Sequence, residues 1–129
     1  MGNIRLLQLL DWLYSIEHSL SLSLVDSGLT LAQFRMLRII ETSPGISVSE
    51  ISRKLNIAKP TASIQIQELI RIGVIAMEND PADKRGKKVY ISPKGENRMK
   101  NAYENLSVME KKFSAKTIAD VLKKIQKKC

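Results

Sequence analysis

Between Ser47 and Ser92 the chain orders two short amphipathic helices, a tight turn and a two-stranded hairpin, and few folds accommodate that order. Ser47 followed by Glu50 is a capping box, which opens a helix placing Val48, Ile51 and Leu55 on one side. Asn56 suits a left-handed position at its end. A second helix is expected from Lys59 to Ile72, stopped by Gly73. The runs Val74–Glu78 and Lys87–Ser92 are β-rich, and Asn79–Gly86 between them reads as a long loop with a basic tip. Two helices about three residues apart form a helix-turn-helix unit, and the hairpin directly behind makes it winged.

The flanks are helical. Ile4, Leu7, Leu10, Leu13 and Ile16 or Glu17 keep near-helical spacing, so residues 4–25 are expected as one helix. The stretch Ser19-Leu20-Ser21-Leu22-Ser23-Leu24 alternates with period two, a strand signal in conflict with that expectation. Thr30 and Gln33 form another capping box, opening a helix with Phe34, Leu37 and Ile40 that ends at Ser43-Pro44-Gly45. Ser92-Pro93 starts a further helix, with serine at the cap and proline in the first turn. Met99, Tyr103 or Ala102, Leu106, Met109 and Phe113 give it one apolar stripe, and Ser114 caps a last helix bearing Ile118, Val121, Leu122 and Ile125. The expected fold is mainly α with a small β-hairpin wing: a winged helix-turn-helix unit at 29–92, flanked by dimerisation helices at 1–28 and 93–129. Both flanks carry apolar stripes that a small winged core cannot cover alone.

Charge points to a polyanion. Residues 1–50 carry three basic and five acidic side chains, whereas residues 51–129 carry eighteen and eight. A net charge of +8 divided in this way fits a nucleic-acid partner or a plain solvated basic face. No run of 18 apolar residues suggests a membrane span, and the leucine-rich start, interrupted by Asp11, reads as a folded helix. The single cysteine, Cys129, allows no internal disulfide and suits a cytoplasmic protein. One histidine, His18, and one cysteine do not make a nucleophilic or metal-binding set, and no glycine-rich phosphate loop is present. Neither an enzyme, a cofactor nor a metal site is expected.

The helix at 59–72 carries the function expected of the chain. At 100° per residue, Ala62, Ile66, Leu69 and Gly73 fall in one narrow sector facing the core, where small Ala62 and Gly73 would let backbone come close. The opposite sector holds Pro60, Ile64, Gln67, Glu68 and Arg71, flanked by Thr61 and Ser63. Hydroxyls and amides of that kind read base edges in a major groove, and Gln67 suits a bidentate contact to adenine. Ile64 fits a thymine methyl, or is an ordinary exposed isoleucine. Pro60 sits where its missing N–H is no loss, leaving first-turn N–H groups for a phosphate. In the wing, Lys84, Arg85, Lys87 and Lys88 suit the negative potential of a minor groove, and Asp83 is read as holding Arg85 in position. Ser47, Lys59 and Arg71 complete the expected DNA-binding set. A winged module that binds protein and no DNA is the alternative.

The stretch Leu29–Gly95 resembles the MarR family of transcription regulators. The resemblance rests on Gly28-Leu29-Thr30, Ile51 to Leu55, Pro60-Thr61, Leu69, Gly73-Val74-Ile75, the wing pattern Asp80-Pro81-x-Asp83-x-Arg85, and Ser92-Pro93-Lys94-Gly95. It implies a homodimer whose terminal helices interlock, a recognition helix at 59–72, and Arg85 as the minor-groove arginine of the wing. It further implies a repressor of a pseudo-palindromic double-stranded operator, released by a small aromatic effector. Trp12, Tyr14 and Phe34 are the candidate residues for that ligand. The position of Ile64 is often arginine in relatives, Gln65 is often apolar, and Ala58 stands where a capping serine or aspartate is usual.

Overall fold

In the computed structural model, described for residues 2–80, 82–112, 122, 123 and 126, five helices and one hairpin surround a single core. Helix α1 runs Gly2–Leu24 and passes into a short 3-10 helix, Val25–Ser27. The helical reading thus prevails over the period-two signal at Ser19–Leu24. The alternating serines do not break the helix; Ser23 donates to the Ser19 carbonyl one turn back, at 3.0 Å. Leu24 at the end of α1 is fully buried, whereas Leu7, Leu10 and Leu13 are exposed.

Helix α2 spans Leu31–Thr42 and opens with the expected reciprocal cap. The Gln33 N–H donates to Thr30 Oγ1 at 3.1 Å, and the Thr30 N–H donates to Gln33 Oε1 at 3.0 Å. Helix α3, Val48–Leu55, opens with half of one. The Glu50 N–H donates to Ser47 Oγ, but the Glu50 carboxylate accepts from the same Ser47 hydroxyl at 3.0 Å. Asn56 closes α3 at φ 54°, as its short polar side chain allows. Helix α4 follows at Lys59–Arg71.

The wing is longer than its sequence suggests. Strand β1 is Ile75–Asp80 and β2 is Asp83–Ile91, so the ladder runs through most of the stretch expected as loop. The pairing is antiparallel from Ile75 opposite Ile91 to Asp80 opposite Asp83, with an irregularity between Asn79 and Asp80. Glu78 is registered opposite Lys88 in the ladder, and the apolar Ile75, Met77, Val89 and Ile91 fix the base of the hairpin to the core. The α2–α3 turn adds a third edge: the Gly45 N–H donates to the Val89 carbonyl at 2.9 Å and the Val89 N–H to the Ile46 carbonyl at 3.0 Å.

Helix α5, Pro93–Lys112, leaves the wing through the Ser92 cap, whose hydroxyl accepts from the Gly95 N–H and donates to the Gly73 carbonyl. Met99 and Ala102 are its buried residues, with Leu106 packed beside them. Of the two candidates for that stripe, Ala102 therefore lies in the core and Tyr103 at its edge. The last helix expected after Ser114 lies outside the described residues, apart from an exposed Leu122. The core joins Leu24 of α1 to Phe34, Leu37 and Ile40 of α2, Ile51 of α3, Ile66 and Leu69 of α4, Val89 of the wing and Met99 of α5. No described helix is long and apolar enough to cross a membrane.

Candidate nucleic-acid interface

Helix α4 stands on its apolar side. Ala62, Ile66 and Leu69 are no more than 1% exposed and anchor it to the core, as the 3.6-residue period requires. Gly73 is not the last member of that buried row: it lies beyond the helix, at φ +81°, and a side chain there would meet the aliphatic part of Lys94, not backbone. Its role is to turn the chain from α4 into β1. Close backbone approach occurs instead at Gly95, where a Cβ would lie 2.0 Å from the Val74 carbonyl oxygen.

With that side fixed, the opposite side of α4 has no choice but solvent. Lys59, Pro60, Thr61, Ile64, Gln67, Glu68 and Arg71 are exposed, Ser63 and Gln65 half-buried. Ile64 is 71% exposed, more than any other large apolar side chain measured. Ala58, the residue before the helix, offers no side-chain cap. Arg71 is held by Glu68: its Nε donates to Oε2 at 2.9 Å and its Nη2 to Oε1 at 2.5 Å. That hydrogen-bonded pair pulls the Glu68 carboxyl below its ordinary pKa and lifts that of Arg71, so both stay charged throughout the neutral range.

The remaining site residues are dispersed around this face. Ser47 caps α3 and spends its hydroxyl on Glu50. Lys87, exposed, faces Asn79 across the wing, and Lys88, half-buried, faces Glu78. Asp83, Lys84 and Arg85 belong to β2 by backbone; the contact expected between Asp83 and Arg85 lies outside the described side chains.

The sequence places Glu68 on the outward face of α4, but its pairing with Arg71 and the groove beside it went unread. A groove of about 840 Å³ runs between α4 and the start of α2, lined by Thr30, Ala32, Gln33 and Met36 on one bank and by Ile64, Gln67, Glu68 and Arg71 on the other. Nothing in the sequence links residue 30 to residue 68, so this bank of α2 was not legible. Glu68 was: an acid three residues before an arginine on one helix face is a pairing signal.

The candidate ligand residues lie on two helices, α1 and α2. Tyr14 is 63% exposed on α1, Trp12 is half-buried on the same helix, and Phe34 is buried under the edge of the Tyr103 ring at 5.7 Å. The groove and a smaller hollow of about 430 Å³ beside Met99 and Tyr103 are lined by other residues.

The MarR family model matches residues 29–87. No curated protein matches the chain in sequence. Among solved structures, the transcriptional repressor CouR bound to a 23-mer DNA duplex is 19% identical over 94% of this chain and 88% of its own, with a TM-score of 0.80. A cysteine-to-serine mutant of MarR from E. coli, complexed with operator DNA, is 20% identical over 98% and 93%, with a TM-score of 0.76. MarR from Staphylococcus aureus in complex with salicylate and kanamycin is 23% identical over 81% and 74%, with a TM-score of 0.67. These likenesses show the winged-helix fold.

Proposed function

We propose, from the match of the MarR family model to residues 29–87, that the chain is a DNA-binding transcription regulator, a homodimeric repressor that reads a pseudo-palindromic operator. The observation that carries the reading is the outward face of α4. Thr61, Ile64 and Gln67 stand in solvent on a helix whose other side is locked into the core, and Ile64 has no structural reason to be there. A thymine methyl gives it one. Thr61, Ser63 and Gln67 supply the hydroxyl and amide groups that distinguish bases, while Lys59 and the wing residues Lys84, Arg85, Lys87 and Lys88 supply charge for the phosphates and the minor groove.

Dimerisation is supported by α1. Leu6, Leu7, Leu10, Leu13 and Tyr14 are each at least 44% exposed along one helix. Single exposed leucines are ordinary, but a continuous row of them marks a surface to be covered. A second copy, contributing the same face, covers it with two-fold symmetry. Trp12 and Tyr14 lie on that helix, so a pocket for an aromatic effector at these residues would be completed only in the dimer. Release of DNA by such an effector, and action in the cytoplasm, belong to the same proposal.

A gel shift against the DNA upstream of the chain's own gene, repeated at several salt concentrations, tests it. A retarded species that persists over excess random DNA and weakens steeply with salt is expected. Binding that random DNA removes completely would overturn the operator reading.

A further inference from the structure

We propose that the paired side chains of Glu68 and Arg71 act as one unit that reads a G·C base pair in each half-site of the operator. The inference rests on the reading of α4 as the recognition helix. An acid on a DNA-facing surface is costly, since it repels phosphates at every sequence. It is tolerable only where it meets a hydrogen-bond donor, and in the major groove the donors are the exocyclic amines of cytosine and adenine.

The geometry separates those two. Arg71 spends one Nε–H and one Nη2–H on the two carboxylate oxygens of Glu68. Its other donors, on Nη1 and the far side of Nη2, have no partner among the described residues, and each Glu68 oxygen keeps a lone pair. Both side chains are exposed, at 69% and 46% for Arg71 and Glu68, and both border the groove that runs along α4 beside Ile64 and Gln67. The pair therefore presents a fork of donors next to an acceptor. A G·C pair presents the complement: two adjacent acceptors, guanine N7 and O6, next to one donor, cytosine N4. An A·T pair interrupts its acceptors with the adenine amine and ends on a methyl, so the fork finds no adjacent pair. Holding Arg71 against Glu68 before DNA arrives also removes rotamers that would otherwise be lost on binding.

The test is selection from a randomised duplex library, by the intact chain and by its Glu68→Ala and Arg71→Ala variants, with affinity for random DNA measured alongside. Both positions are exposed, and circular dichroism of each variant should match that of the intact chain. The wild-type protein should select half-sites with one fixed G·C pair. Each variant should select the same site with that pair degenerate, a loss of discrimination on the order of 10-fold. Glu68→Ala should in addition bind random DNA more tightly, because a repulsive charge is gone. A G·C pair that stays fixed in both variants overturns the inference while leaving the operator reading intact; so does a fixed A·T pair that the variants lose. Failure of the wild-type protein to select any sequence overturns the operator reading itself.

Discussion

At the scale of single residues, Gly95 and Ile64 show how differently two positions constrain the chain. Gly95 lies in the first turn of α5, where alanine would gain about 1 kcal/mol of helix propensity. A Cβ there would stand 2.0 Å from the Val74 carbonyl oxygen and 2.8 Å from Ile91 Cγ2, and backbone cannot yield as a side chain can. Overlap wins: Gly95→Ala should lower stability by about 2 kcal/mol net, read as a drop in urea midpoint at fixed protein concentration with the slope unchanged. Ile64 touches so little that Ile64→Ala should change stability by less than about 0.5 kcal/mol. Its effect should fall on operator DNA alone, about a 10-fold loss of affinity against no loss on random DNA, measured by fluorescence anisotropy. An equal loss on both would mean that Ile64 reads nothing. The Ser-Pro-Lys-Gly run at 92–95 was legible as a helix start; the contact that makes its glycine necessary joins residues 74 and 95 and is a property of the fold.

At the scale of elements, the helices were readable because each carries its own stop and start. Thr30 with Gln33, Ser47 and Asn56 bring their partners with them within four residues, and the structure uses each one. The wing was readable as a hairpin but its length was not, because Asn79, Asp80 and Asp83 have low strand propensity and are paired across the strands in a way no local pattern encodes. Nor was the tie between α2 and α5. The Tyr103 hydroxyl donates to Glu41 Oε1 at 2.6 Å, and its ring meets Phe34 edge-on, so this side chain adds a tie at the rim of the core to the apolar packing of Met99 and Ala102. Partial burial first, and the bond to Glu41 second, raise the Tyr103 pKa above 10.0. A raised pKa means that the folded chain holds the proton more tightly than the unfolded one. The contribution is therefore complete below about pH 10 and fades as pH climbs through the raised value. Tyr103→Phe should cost at most about 1 kcal/mol at neutral pH, since the group is part-solvated, and should flatten the alkaline limb of a stability-against-pH curve. An alkaline limb identical in both proteins would show that Tyr103 does not set it.

At the scale of the whole molecule, the apolar face of α1 and the outward face of α4 ask for different partners. Sedimentation equilibrium at micromolar concentration should give about twice 14.5 kDa. Leu10→Lys should shift that mass towards the monomer while leaving the winged unit folded, because Leu10 is 45% exposed and outside the core cluster. A dimer that survives this change would place the interface elsewhere. The wing, the α2–α3 turn and α4 are bonded through Val89 and the shared core, so the DNA-facing surfaces travel as one body. That body meets α1 through the buried Leu24 and at the bend at Gly28, at φ +69°, whose carbonyl accepts from Arg98 Nη1 of α5 at 3.4 Å. In the proposed two-fold dimer the angle at this bend would set how far apart the two reading heads sit, and Gly28 is not among the residues proposed to touch DNA. Descendants of this chain could therefore change the gap between half-sites and the letters within them by separate mutations. A lineage with that freedom can move to a new promoter in two small steps, each leaving the other property intact.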